Sequence, residues 1–495
     1  LYSARWEDAP LETYAMRLEG PESRPLGLPN AMLHAVSSLG EIAVVLRAER
    51  GQEGGRGVLA RMPLAGGAPR EILEDVLFAD WSPDGRELAV VRIVGGRQRL
   101  DFPIGSVVYE PTGWISSVKV SPGGDLVAFV DHAHIGDTTG SIAIADRKGR
   151  VKRLSGVWPG ETYGLAWSPG GEEIWFTAAG VGTARSLHAV TLEGRERLVE
   201  QVLGGLYMHD VSPTGRVLLS HDSTRSGILC RIADEASERE LSWFDLATWP
   251  DLSGDGSTVL FSEGGVAGGP LGSVYLRRTD GSPAIRLGEG TALALSPDGK
   301  WALSLAVSPG RLLLHPTGVG QTRELLHEGL THHAVAAWFP DGKRILFAAN
   351  QEGRPPRSYV QDLDCADANP VTPEGSIAYA ISPDGSHLAA RDPLIKLCRV
   401  EGGDSTPIAG ALPGDIPIRF DQDGRSLFVQ SGILPARVFR IDTASGARGL
   451  FLELMPSDPA GVSGILRIAL TPDGRSYVYD YFRVLSDLYL AEGLK

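Results

Sequence analysis

The feature that most constrains this sequence is a short segment that recurs along the whole chain. Its clearest copy is "DWSPDGRELAVVR" at Asp80–Arg92. In the central "SPDG", proline fixes φ, aspartate can bond its own backbone, and glycine accepts a positive φ. The flanking residues are apolar and often β-branched, as is typical of strands. Each copy therefore predicts a β-hairpin with a tight turn.

The copies return with a period of about 40 residues. Eleven of them begin their turns at Ser37, Ser82, Ser121, Ser168, Ser212, Ser253, Ser296, Phe339, Ser382, Asp421 and Thr471. Most are followed by a third strand and a polar fourth strand, such as "GSVYLRRTDG" from Gly272 and "PAIRLGEG" from Pro283. A period of this length with four strands indicates the blades of a β-propeller. We expect an all-β chain of tandem β-propellers.

The copy number predicts more than one propeller. Residues 1–28 resemble three strands of a further blade without its hairpin, so we expect about twelve blades, the first truncated, in a piece of a longer protein. Single propellers have roughly four to eight blades. Two six-bladed propellers, residues 1–240 and 241–495, are the simplest partition; seven plus five blades, or one propeller inserted in the other, stay open. We expect the last blade to take its fourth strand from upstream of Leu1, because open blades leave exposed strand edges.

Composition and motifs argue against several classes of function. A net charge of −14 disfavours nucleic acid and anionic membranes as partners. No stretch approaches the roughly 18 apolar residues of a membrane span, so no membrane contact by this chain itself is expected. The three cysteines have neither paired nor metal-site spacing, and we predict no metal and no cofactor. The chain lacks the G-x-S-x-G, H-R-D and D-F-G motifs, so we predict no catalytic residue and no enzyme activity for it.

Ring side chains just before several repeat turns are the candidate binding residues. Loops at these points lie on one face of a propeller, around the mouth of its channel. The candidates are Trp114, Tyr163, Tyr207, Trp249, His332 and Tyr379. Such a rim would suit a small ligand or the side chains of a protein or peptide partner. The alternative is that these rings pack between adjacent blades.

The repeats also resemble a known family. The "WSPDG…LAV" units are similar to TolB-like propeller repeats, which also occur in prolyl-oligopeptidase-type and tricorn-type peptidases. "LPARVFRID" at Leu434, "LMPSDPAGV" at Leu454 and the ending from Thr471 resemble the C-terminal region of bacterial, acidobacterial-type membrane serine/threonine protein kinases. This resemblance runs from end to end.

The resemblance implies a non-catalytic sensor or interaction module, periplasmic or otherwise extracytoplasmic, in a membrane-anchored parent. The kinase catalytic domain would lie outside this chain. Two other functions stay open: a substrate-gating propeller of a peptidase, and a TolB-like structural scaffold for protein assembly. A cytoplasmic location also stays open, since similar propellers follow winged-helix DNA-binding domains.

Overall fold

The computed structural model describes residues 1–4, 11–17, 20, 22–49, 55–133, 138–180, 182–269, 271–306, 310–325, 327, 329–351, 353–365 and 367–494. These residues form 44 strands and one four-residue helix, α1 (Gly265–Gly268). No helix in this part of the chain is long and apolar enough to cross a membrane. The predicted all-β class is confirmed.

The chain divides into two compact units. The first unit contains residues Leu1–Thr224 and Leu485–Lys495, and the second contains Arg225–Val484. The predicted boundary at residue 240 lies 15 residues beyond the start of the second unit, and the C-terminal 11 residues group with the first unit. The reason is that two long strands, at residues 217–231 and 477–491, each begin in one unit and end in the other.

The first unit is built of antiparallel sheets in which consecutive strands are neighbours. Its strands are β1 (Tyr2–Ala4), β2 (Glu12–Met16), β3 (Ser23–Pro25); β4 (Met32–Val36), β5 (Glu41–Glu49), β6 (Arg56–Pro63), β7 (Arg70–Trp81), β8 (Leu88–Val94), β9 (Arg97–Asp101), β10 (Val107–Tyr109); β11 (Trp114–Val120), β12 (Leu126–His132), β13 (Ser141–Asp146), β14 (Val151–Arg153); β15 (Thr162–Trp167), β16 (Glu173–Ala178), β17 (Ser186–Thr191), β18 (Glu196–Glu200); β19 (Gly205–Val211) and the start of β20 (Val217–Arg231). The seven strands β4–β10 form one sheet because the long β7 pairs with β6 at its start and β8 at its end.

The second unit repeats the four-stranded pattern. Its strands are β21 (Arg239–Glu240); β22 (Ala247–Leu252), β23 (Thr258–Glu263), β24 (Ser273–Arg278), β25 (Ile285–Glu289); β26 (Thr291–Leu295), β27 (Trp301–Ala306), β28 (Arg311–Pro316), β29 (Arg323–Leu325); β30 (Leu330–Trp338), β31 (Arg344–Gln351), β32 (Arg357–Asp362), β33 (Ala368–Pro370); β34 (Ile377–Ile381), β35 (His387–Asp392), β36 (Leu394–Arg399), β37 (Thr406–Pro407); β38 (Ile416–Phe420), β39 (Ser426–Ser431), β40 (Ala436–Asp442), β41 (Arg448–Leu454); β42 (Val462–Gly464), β43 (Ile468–Leu470) and most of β44 (Tyr477–Ala491).

The last sheet of the second unit is completed by strands from the beginning of that unit. β43 pairs with β44, β44 neighbours β20, and β21 pairs with β20. The hydroxyls of Tyr477 and Tyr479 both donate to Glu238, each at 2.9 Å. The expectation that the closing strand comes from upstream of Leu1 is therefore wrong, since β20 and β21 take that place.

The first strands of these sheets contact each other in order. In the second unit β22, β26, β30, β34, β38 and β43 form a closed circuit, because β43 also contacts β22. In the first unit β4, β7, β11, β15 and β19 contact one another successively in this order. We call each set of first strands a ring. Rings of this kind are the centre of a β-propeller; the total of twelve blades stays a prediction.

The turn chemistry is as predicted. In the copy that begins at Ser82, the N–H of Gly85 donates to the Ser82 carbonyl at 2.8 Å, and Gly85 has a φ of 68°. The Ser82 hydroxyl donates to Asp84 at 2.6 Å, and Ser296 donates to Asp298 in the same way at 2.7 Å. Apolar clusters lie between successive sheets. Phe129, for example, packs with residues of its own sheet, β11–β14, and of the preceding sheet, β4–β10. The hairpins are thus held by their own turns and by the sheets beside them.

Candidate functional site

One position of the repeat determines which side chains enter the rings. It lies two residues before the first turn residue, and we call it the hub position. From β4 to β38, each pairing of a first strand with its second strand has a register irregularity. It ends at the hub position or one or two residues before it. β-bulges of this kind re-aim the side chains that follow them.

The hub residues are either alanine or charged. The alanines are Ala35, Ala166, Ala294, Ala337, Ala380 and Ala469; the charged residues are Asp80, Lys119, Asp210, Asp251 and Arg419. Small and charged side chains therefore share one structural position in each unit.

The contact between Lys119 and Asp210 indicates where the hub side chains point. Lys119 lies on β11 and Asp210 on β19, and β15 lies between them in the ring. The Nζ of Lys119 is nevertheless 3.5 Å from Oδ2 of Asp210. The ion pair passes over β15, whose hub residue is the small Ala166. Both charged side chains therefore point towards the centre of the first ring.

Asp80 completes this charged group. Its Oδ2 accepts a hydrogen bond from the backbone N–H of Val120 at 2.7 Å, which links β7 to β11. Burial raises the pKa of Asp80 to about 6, although the ammonium of Lys119 opposes the rise. Burial alone would lower the pKa of Lys119, but the carboxylates of Asp80 and Asp210 raise it above its usual value. One cation and two carboxyl groups are thus electrostatically coupled.

Two histidines lie near this group. Burial lowers the pKa of His34 to about 4, and the positive charge of Lys119 lowers it further. Burial likewise lowers the pKa of His209 to about 4. The Nε2 of His34 is buried and has no hydrogen-bond partner among the described residues, whereas Nε2 of His209 lies 3.2 Å from the hydroxyl of Ser220. Both imidazoles are therefore neutral at pH 7.

A buried ion network lies close to the first ring. Arg185 donates to Glu161 and, at 2.7 Å, to Oδ2 of Asp222. The other carboxylate oxygen of Asp222 accepts hydrogen bonds from Ser220 at 3.0 Å and Ser486 at 2.8 Å. Because Arg185 is only 5% exposed, the network is shielded from solvent. Its role is to hold the strands around β19 in place.

In the second unit, Asp251 and Arg419 bind equivalent backbone sites. Oδ2 of Asp251 accepts a hydrogen bond from the N–H of Leu295 at 2.7 Å. Nη1 of Arg419 donates to the carbonyl of Leu470 at 2.6 Å. Leu295 and Leu470 each lie one residue before the turn of the next sheet. The two hub residues therefore bind opposite backbone groups at the same point of the repeat.

Trp249 and Arg467 lie near Asp251 in the second ring. Trp249 has a φ of 56°, which bulky side chains rarely adopt. Its N–H donates to Oδ2 of Asp480 at 3.0 Å. The guanidinium carbon of Arg467 is 5.4 Å from the indole centroid, within the range of a cation–π contact. Nη2 of Arg467 also donates to the carbonyl of Leu293 at 2.9 Å, so Arg467 reaches past β22 to β26.

Three predicted ring residues lie in the first unit. Trp114 is 2% exposed and stacks on His132, with ring centroids 3.9 Å apart. Tyr163 is half-buried, with its ring 6.3 Å from that of Trp114. Tyr207 is half-buried and its ring lies 4.8 Å from that of His209. Trp114 is thus packed in the interior of its unit.

The other three predicted residues lie in the second unit. Trp249 belongs to the charged group of the second ring, and Tyr379 is half-buried in β34. His332 lies in β30, but its side chain is outside the described residues. The six residues therefore do not form a single rim on one ring, and their role in binding stays a prediction.

Sequence reasoning missed the charged hub residues. The available signal was their fixed distance from the turn: at the same offset, six repeats have alanine and five have an ionisable residue. Arg467 lies two residues before the hub position of its own repeat, Ala469, so no alignment of hub positions would have found it. Among the described residues, no group of three or more His, Cys, Asp or Glu side chains is placed to hold a metal ion.

Comparisons with known proteins give likenesses of fold. No protein-family model matches the chain, and no curated protein matches it. It is similar to the structure of a TolB-type protein from Agrobacterium tumefaciens, with 20% identity and a TM-score of 0.40, over 53% of this chain and 99% of that one. It is similar to the tricorn protease, with 12% identity and a TM-score of 0.35, over 100% of this chain and 56% of the protease. It is also similar to TolB from Acinetobacter baumannii, with 13% identity and a TM-score of 0.24, over 90% and 79% of the two chains.

Proposed function

We propose that this chain is a non-catalytic binding module that recognises a small polar ligand at the centres of its rings. The observation that carries the proposal is the pair of charged groups, Asp80–Lys119–Asp210 and Asp251–Arg419–Arg467, in rings whose other hub residues are alanine. Specific pockets typically combine a rigid frame with a few convergent polar groups. Asp210 is exposed and the other five side chains are half-buried. Withdrawing charge from water even in part is costly, so this grouping in each ring supports a binding role in addition to a structural one.

We further propose that the module is the sensor region of a bacterial serine/threonine protein kinase and lies outside the cytoplasm. The support is the resemblance of "LPARVFRID", "LMPSDPAGV" and the residues from Thr471 to the C-terminal regions of such kinases. Binding at a ring would then bias the activity of a catalytic domain elsewhere in the parent. Rigid rings are suited to this role because a ligand alters their local electrostatics while the frame stays fixed.

The kinase assignment is tested on the coding sequence immediately upstream of Leu1. We expect H-R-D and D-F-G motifs followed by an apolar span of about 20 residues. A basic helical DNA-binding domain, or a signal peptide alone, would refute it.

The sensor role is tested in the full-length parent, by autophosphorylation in membranes. Lys119→Met should change the rate because it removes the only cation of the first charged group, whereas Lys148→Met, at an exposed turn, should leave it unchanged. Equal rates in the parent and in both variants would refute the sensor role.

A further inference from the structure

The two arginines of the second ring lack the carboxylate partner that another half-buried arginine of their unit has. Arg448, for example, has Nη1 2.5 Å from a carboxylate oxygen of the buried Asp415. Within the described residues, neither Arg419 nor Arg467 has a carboxylate oxygen within 4.0 Å of its guanidinium. A guanidinium enclosed by protein is costly unless it is paired. The two arginines therefore carry charge that the protein itself does not neutralise by direct contact.

The hydrogen bonds that Arg419 and Arg467 donate to the protein use only part of the donor capacity of their guanidiniums. Arg467 donates to the carbonyl of Leu293, and Arg419 donates to the carbonyls of Leu470 and Phe420. A guanidinium has several N–H donors in a planar fork. Most of these donors have no protein acceptor among the described residues. Both side chains are half-buried, so they also keep access to solvent.

The carboxylates nearby are already engaged. Asp480 is 1% exposed and accepts hydrogen bonds from the N–H groups of Trp249, Leu466 and Arg467 at 2.8 to 3.1 Å. Asp251 binds a backbone N–H of the next sheet with one oxygen. Its charge acts on both guanidiniums at a distance, and burial nevertheless lowers the pKa of each arginine. Further negative charge at this point would therefore be stabilising.

The backbone of Trp249 is strained at the same place. A left-handed conformation is unfavourable for an L-residue with a bulky side chain. Here it is held by the hydrogen bond to Asp480, and it places the indole beside the guanidinium of Arg467. Such strain concentrates at ligand sites, where the surrounding structure maintains it. The indole restricts the orientation of the guanidinium and so pre-organises its free donors.

We propose that Arg419 and Arg467 bind a small oxyanion, a carboxylate or phosphate group, at the centre of the second ring. Guanidiniums bind both groups through paired N–H···O hydrogen bonds. The net charge of −14 disfavours large polyanions, so the ligand is a small molecule with one or two negative groups. The inference rests on the proposed function in that the rings are taken as the binding sites, and it specifies the ligand chemistry of one of them.

The test is isothermal titration of the 495-residue chain with phosphate and, separately, acetate, at an ionic strength held constant with sodium chloride. We expect saturable binding of at least one oxyanion. Arg419→Gln and Arg467→Gln should each weaken it at least tenfold, because glutamine has neither the positive charge nor the planar fork of donors. Arg399→Gln, at an exposed strand end, should leave the affinity unchanged. Which anion binds distinguishes a phosphate-bearing ligand from a carboxylate-bearing one.

Arg467→Lys keeps the proposal testable if a glutamine variant does not fold. It retains the charge but not the planar fork, and we expect weaker binding with an unchanged melting temperature in the absence of anion. Lack of saturable binding to both anions, or equal affinity in the wild type and in all arginine variants of the ring, overturns the proposal. Loss of binding in the glutamine variants alongside an upstream sequence without a kinase would refute the kinase assignment alone.

Discussion

Replacing Lys119 by methionine tests the electrostatics of the first ring. The substitution keeps most of the aliphatic volume and removes the only cation between Asp80 and Asp210. Asp210 is 64% exposed, so loss of its 3.5 Å ion pair should cost less than about 1 kcal/mol. The larger effect should come through Asp80, because Lys119 is the charge that most lowers its pKa.

The stability lost through Asp80 depends on how much Lys119 lowers the pKa of that carboxyl. A neighbouring opposite charge lowers the pKa of a carboxyl by about one to three units. Loss of Lys119 should therefore raise the pKa of Asp80, at a cost of about 1.4 kcal/mol per unit once the carboxyl is ionised. A raised pKa contributes stability that is complete below the unfolded value of 3.8 and is lost as the pH rises through the folded value of about 6. The variant should therefore lose more stability at pH 8 than at pH 5.

The assay is urea unfolding of the wild type and Lys119→Met at pH 5 and pH 8, with Lys148→Met as an exposed control. In the background of Asp80→Asn, the pH-dependent part of the cost should disappear. A cost of Lys119→Met that is equal at both pH values, or that is unaffected by Asp80→Asn, would refute the reasoning.

Three other substitutions test further parts of the structure, each by the urea midpoint. Gly164 has a φ of 65°, and a Cβ there would lie 2.4 Å from a backbone oxygen, so Gly164→Ala should cost about 3 kcal/mol or more. Gly156→Ala, with open space around it, should cost less than about 0.5 kcal/mol, and similar costs at both sites would contradict the packing described. Arg185→Met leaves two enclosed carboxylates without their shared partner and should cost about 3–5 kcal/mol; Arg195→Met, 82% exposed, is its matched control, with an expected cost under about 0.5 kcal/mol. The pKa of His209 is lowered from 6.5 to about 4, so its contribution to stability is present above pH 6.5 and lost as the pH falls towards 4. In His209→Gln the urea midpoint should depend less on pH between 4 and 6.5 than in the wild type. An equal pH dependence in both proteins would contradict this assignment.

The repeating hairpins were predictable because their information is local. The turn at Ser82 is made by residues within five positions of each other, and every contact that defines it follows from serine, aspartate and glycine in fixed order. The same holds for the turn at Ser296. Four-strand repeats follow from these turns and the apolar segments between them.

The long strands were not predictable from local pattern. β20 and β44 each run for 15 residues, although segments such as "DSTRSG" and "FRVLSD" contain residues that usually favour turns. Pairing between segments about 240 residues apart overrides that preference, as the contacts of Tyr477 and Tyr479 with Glu238 indicate. No window of sequence contains both partners, so the expected closing strand was assigned to residues upstream of Leu1.

The charged groups of the rings were only partly accessible from the sequence. Asp80 and Lys119 stand out once the repeats are aligned on their turns, since alanine occupies the same place in six other repeats. Lys119 pairs with Asp210 across an intervening strand. This contact depends on how the first strands curve around the ring, which no sequence motif encodes. Arg467 lies in the segment that leads into β43 and not at the hub position, so aligning the repeats on their turns does not reveal it.

The second ring can close only after β44 has been translated, long after its neighbour β20. Arg231, the last residue of β20, precedes Tyr477, the first residue of its neighbour β44, by 246 residues. At a translation rate of roughly 5–20 residues per second, one hydrogen-bonding edge of β20 stays unpaired for roughly 10 to 50 s. Unmet edges readily pair with other chains. A nascent chain is therefore most prone to aggregation in this interval, and translation stalled just before Tyr477 leaves the other sheets of the unit translated but the ring open.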